Sequence, residues 1–113
     1  MKGLDIFLDR VESKGIIVGT NNADAVPVGT VFTQLVKTRY EGHPGDSRLV
    51  ELWSVPVSLR LTDAIIYRES VPVVPSGWGV GLILEGTGLD AVQKAIREKQ
   101  EREFVHLRGA GAA

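Results

Sequence analysis

From Trp53 to Thr62 apolar and polar residues alternate strictly, with Trp53, Val55, Val57, Leu59 and Leu61 set against Ser54, Pro56, Ser58, Arg60 and Thr62. A period of two is the spacing of a half-buried strand. Pro56 falls on the polar side but lacks an amide donor, so it places this strand at a sheet edge or beside a bulge.

Similar reasoning predicts strands over Asp5 to Glu12, Ile16 to Thr20 and Gly29 to Tyr40. Ser13-Lys14-Gly15 and Asn21-Asn22-Ala23-Asp24 separate them and are turn-forming, because glycine and asparagine tolerate positive φ. Glu41 to Ser47, dense in glycine, proline and charge, reads as an exposed excursion between two long strands. Beyond the alternating run, Ala64 to Arg68 and Val71 to Val74 are short apolar pieces, which Pro72 and Pro75 restrict to edge or irregular geometry. Gly77-Trp78-Gly79 turns the chain into Val80 to Glu85, whose almost continuous apolar run predicts a strand buried on both faces near the centre of the fold.

At Leu89 the period changes. Leu89, Val92, Ala95 and Ile96 recur every three to four residues among lysine, arginine and glutamate, which predicts an amphipathic helix from Leu89 to about Glu103. Thr87 or Asp90 is placed to start it. Pairs such as Lys94 with Glu98 add only about 0.2 to 0.5 kcal/mol each, so the apolar stripe docks the helix. Phe104, Val105 and Leu107 predict a last short strand, and residues 109–113 a frayed end.

The 113 residues suit one domain, and 43% hydrophobic with 24% charged residues is globular rather than disordered. A net charge of -1 supplies no overall attraction to nucleic acid or anionic lipid. With no cysteine, disulfides, thiol nucleophiles and thiolate metal sites are excluded. Asp5, Asp9, Arg10 and Glu12 interrupt any secretory-type apolar run, and no stretch has the ~18 to 20 apolar residues of a membrane span. A cytoplasmic protein with no membrane partner is expected.

Candidate chemistry is sparse. Gly86-Thr87-Gly88-Leu89-Asp90-Ala91 fits the G-x-G-x-x-G/A pattern between a strand and a helix, where helix amides hold phosphate. Too little chain follows for the second strand and the ribose-binding acid that the pattern needs. His43 has Glu41 and Asp46 nearby, permitting weak metal binding or acid-base work, against the plainer reading of a solvated loop. His106 sits in no metal motif, and Asp5, Asp9 and Glu12 read as solvent-facing charge. No G-x-S-x-G elbow or Walker sequence occurs. No catalytic residue, metal site or cofactor is assigned. The candidate binding surface is Lys37, Arg39, Tyr40, Arg60, Arg68 and Trp78, cations with aromatic neighbours in the manner of a single-strand nucleic-acid strip, weighed against dispersed surface charge.

The order of motifs from Ile6 to Leu89 resembles domain II of elongation factor Tu and its relatives. The matching features are Val11-Glu12-Ser13-Lys14-Gly15-Ile16-Ile17-Val18-Gly19, then Val26-Pro27-Val28-Gly29-Thr30-Val31-Phe32. Ile65-Ile66-Tyr67-Arg68 follows, leading through Val73-Val74-Pro75-Ser76-Gly77 to Val80-Gly81-Leu82-Ile83-Leu84-Glu85-Gly86. The resemblance implies a barrel of the kind that packs on a GTPase domain and helps contact tRNA or the ribosome. No residue of the family's RNA-contacting pocket matches, and the helix from Leu89 and the Glu41 to Ser47 excursion depart from the barrel's simplest form.

The expected fold is therefore mainly β, a small closed or partly open β-barrel with one C-terminal amphipathic helix packed against it. The expected function is a non-catalytic binding or adaptor domain, with a protein partner favoured. An RNA- or ribosome-associated accessory protein is the second reading and a small enzyme using the His43 loop the third. The edge implied by Pro56 is a place where two copies pair as a homodimer.

Overall fold

Short apolar-alternating segments joined by tight turns bury their inner faces most completely by closing on one another. In the computed structural model, which describes residues 3–12 and 15–109, the chain runs β1 (Leu4–Val11), β2 (Ile17–Asn21), β3 (Val26–Pro27), β4 (Val31–Glu41), β5 (Arg48–Ile66), β6 (Glu69–Ser70), β7 (Val73–Val74), β8 (Gly79–Thr87), α1 (Leu89–Arg97) and β9 (Glu103–Gly109). Ser13 and Lys14 of the first expected turn, and residues 110–113 of the expected frayed end, lie outside the described residues, whereas Gly109, expected to fray, pairs with Leu4 in β9.

Six strands form a ring in the order β4-β9-β1-β2-β8-β5, and β5 pairs back onto β4. All six contacts are antiparallel. Leu4, Ile6 and Leu8 point into the ring, where Phe32, Leu35, Leu59, Leu82 and Leu107 meet them fully buried. The mainly β architecture with one helix agrees with the sequence reading. β3 and β7 make a separate two-stranded ladder. Asn21, expected only as a turn former, is fully buried and binds that ladder to β2. Its Nδ2 donates to the carbonyls of Asp24 (3.0 Å) and Val74 (3.2 Å), and its Oδ1 accepts from the Ala23 amide at 3.1 Å.

Several expectations need correction. The helix stops at Arg97 rather than near Glu103, and Arg102, with φ of 69°, reverses the chain into β9. The Glu-Lys-Gln-rich run has good helical propensity, but β9 is worth more as a strand because it pairs with β1 on one side and β4 on the other. No side chain caps α1. Gly88, with φ of 106°, opens it, and a Cβ there would lie 2.5 Å from Val57.

β8 does lie centrally, between β2 and β5, but only Val80, Leu82 and Leu84 are buried, while Gly81 and Ile83 are half-exposed.

β5 is 19 residues long and absorbs both the alternating run and the short Ala64 piece. Register shifts opposite Phe32/Gln34 and Lys37/Thr38, and another at Leu61/Asp63 against β8, change which parity faces inward. Pro56, opposite Gln34, stands beside the first of these shifts and on a stretch that, among the described residues, has no strand neighbour away from β4, so both expectations for it hold. Among the described residues no helix is long and apolar enough to cross a membrane.

Candidate binding site

β8 runs alongside β5 only from Ile65↔Gly81 to Ser58↔Thr87. There Gly86, with φ of 138°, lies so close to β5 that an added Cβ would overlap the Ser58 carbonyl oxygen, and the chain leaves the sheet to begin α1. Arg48 to Val57 of β5 therefore have β4 on one side and, among the described residues, no strand on the other. Alternate amides and carbonyls along such an edge point outward without a backbone partner. The vacant lane continues the line of β8.

This lane opens onto a groove of about 310 Å³ between the edge and α1, lined by Leu35, Trp53, Val55, Ala91, Ala95 and Lys94 among others. Trp53 and Val55 remain 36% and 37% exposed, although the alternating pattern grouped them with the buried Val57, Leu59 and Leu61. They protrude because β5 extends past the end of β8. Lys37 also lines the groove, its Nζ 3.1 Å from a Glu103 carboxylate oxygen and 3.5 Å from the Glu98 carbonyl. The Gln100 amide, and then Lys37, hold the Glu103 carboxyl below its ordinary pKa against the opposing effect of burial.

The six residues put forward as a binding surface do not converge. Lys37 does line the groove, but it is only 8% exposed and neutralised by Glu103. Arg39 pairs with Glu41, and Tyr40 turns to the opposite face, its ring 5.4 Å from Phe104. Arg60 is opposite Val31, eight residues and roughly 26 Å along β4 from Arg39. Only Arg68 and Trp78 are near neighbours, through Tyr67, whose ring centroid is 6.2 Å from that of Trp78.

His43 is exposed in the turn between β4 and β5, its carbonyl accepting from the Asp46 amide at 2.8 Å. The described residues contain no metal-binding cluster. Asp9 and Glu12 share Arg10, at 3.0 and 2.9 Å.

Asp5 and His106 behave differently from their expectation. His106 is fully buried on the outer side of β9, with Nδ1 2.9 Å from Asp5 and Nε2 2.7 Å from the Thr38 hydroxyl. Three strands thus bring an acid, an imidazole and a hydroxyl into the order of a hydrolytic triad, which sequence spacing did not reveal. Thr38 is 2% exposed, however, and does not line the groove beside α1. The relay serves as a polar rivet across β1, β9 and β4, covered by Phe7 with its ring centroid 4.3 Å from the imidazole. A wider concavity of about 620 Å³ and mixed lining lies nearby, where Asp5 pairs with Arg108 at 3.4 Å.

No protein-family model, curated protein or solved structure matches the chain.

Proposed function

We propose that this domain is a non-catalytic binding module that receives an extended segment of a partner protein along the free edge of β5. The carrying observation is the vacant lane itself: an unpaired strand edge beside an apolar groove lined by exposed Trp53 and Val55. In strand addition, backbone hydrogen bonds supply affinity and pockets for alternate side chains supply specificity. Here the incoming segment extends the β8 line, and every second side chain enters the groove between Trp53 and α1. Resemblance to a translation-factor barrel, a domain that docks on a neighbour, supports the same general role. A partner protein is favoured over RNA because the exposed groups at the lane are mainly apolar side chains and backbone amides, with Arg48 and Lys94 as the cations beside them, while Arg39, Arg60 and Arg68 lie apart.

A photoreactive residue in place of Val50, in the full chain in cells, tests the reading. The expected result is cross-linking to one short contiguous segment of a partner, nuclease-resistant. A synthetic peptide of that segment binds the wild type and loses at least about tenfold in affinity to Val55→Asp. Cross-links to RNA alone, or a peptide indifferent to Val55→Asp, overturn it.

A further inference from the structure

Resting on that reading of the edge, we infer that the protein, when free of its partner, closes the lane with a second copy of itself. The two β5 strands pair antiparallel about a two-fold axis between Glu51 and Leu52.

The argument comes from register. Against β4, Arg48, Val50, Trp53 and Val55 oppose Glu41, Arg39, Lys37 and Leu35, which puts all four on the groove side. Leu49, Glu51 and Ser54 oppose Tyr40, Thr38 and Val36 on the outer side. Leu52 is the extra residue of the bulge between them. In a regular strand, self-pairing about the midpoint of two adjacent residues sets every groove-side residue against an outer-side one. The one-residue bulge cancels that conflict. Val50 falls opposite Trp53 of the second copy and Arg48 opposite Val55, all on the groove side. Leu49 falls opposite Ser54 on the outer side. The edge is thus complementary to itself in one register.

Composition points the same way. Arg48 to Val55 holds one cation and one anion and contains neither lysine nor proline, the usual devices that keep edges apart. Leu49, Trp53 and Val55, at 41%, 36% and 37% exposure, are covered by the pairing. Each Trp53 gains a β-branched cross-strand neighbour in Val50. Pro56 falls opposite Ser47 of the hairpin turn and ends the ladder at both ends, so the product is a closed dimer rather than a fibre. One feature opposes association, since the two Glu51 carboxylates approach diagonally across the axis, each with Arg108 at 3.9 Å. The small interface and this repulsion make a weak dimer that a partner segment displaces.

The chain has no cysteine, so single-cysteine variants report register directly. Opposed residues have Cβ atoms about 4.5 to 5.5 Å apart, whereas two Val50 positions lie roughly 10 Å apart along the strands. Val50→Cys mixed with Trp53→Cys is expected to form a disulfide-linked dimer under mild oxidant, and neither variant alone does so. Sedimentation velocity of the unmodified protein over about two decades of concentration is expected to show reversible dimerisation, and Glu51→Gln shifts it to lower concentration. A monomer at every concentration, or Val50→Cys cross-linking to itself, overturns the inference. A protein that stays monomeric yet captures an extended peptide leaves the proposed function standing. A dimer that no extended segment displaces overturns that function alone.

Discussion

Lys37 and Glu103 form an ion pair at 3.1 Å with side chains only 10% and 12% exposed, joining β4 to the first residue of β9 beneath the groove. Breaking such a pair on one side leaves a poorly solvated charge, whereas replacing both partners by apolar residues does not. Lys37→Ala is expected to cost about 2 kcal/mol, and Lys37→Met with Glu103→Leu to stay within about 1 kcal/mol of wild type, in urea unfolding.

The same carboxylate carries a pH signature. Its folded-state pKa lies below the ordinary value, because of the Gln100 amide first and Lys37 second. Its contribution is therefore fully present above the unfolded-chain pKa and is lost as pH falls through the folded one. Glu103→Gln is expected to flatten the acid limb of the stability profile, measured as the urea midpoint across the carboxylate range.

Buried Thr38 and His106 form one hydrogen-bonded unit with the half-buried Asp5. His106→Leu leaves a carboxylate and a hydroxyl without their shared partner and is expected to cost about 3 kcal/mol, and Thr38→Val about 1 kcal/mol. A double-mutant cycle is expected to give a coupling of at least about 0.5 kcal/mol. Additive costs would show that the hydroxyl and imidazole act separately.

Tyr67 and Arg68 form the two-residue turn between Ile66 and Glu69, with φ of 52° and 66°. Both central residues of such a hairpin turn favour asparagine and glycine, and larger side chains are strained there. Tyr67→Asn with Arg68→Gly is expected to stabilise the protein by about 1 to 2 kcal/mol in thermal or urea unfolding. Tyr67 is 86% exposed, so no buried contact is lost to offset the gain.

Much of the fold is legible in local pattern. Period two located the middle of β5, the glycine and asparagine turn formers separated β1, β2 and β4, and the spacing of Leu89, Val92, Ala95 and Ile96 located α1. The end of the helix was not legible, because residues 98–103 are good helix formers and only the demand for a strand between β1 and β4 turns them away. The site was less visible still. Trp53 and Val55 share the parity of Leu59 and Leu61, and no local signal distinguishes a strand's covered half from its exposed half.

The sequence by itself determined that the chain is a cysteine-free, mainly β domain with one amphipathic helix, since each rests on neighbouring residues and their periodicity. Tertiary structure alone decided that β8 leaves β5 at Ser58, that the edge signalled by Pro56 extends over Arg48 to Val57, and that Asp5, Thr38 and His106 meet. Those outcomes depend on which strands become neighbours on closing the ring. Contacts between residues as far apart in the chain as Asp5 and His106 are set by that closure, and leave no periodic trace along the chain.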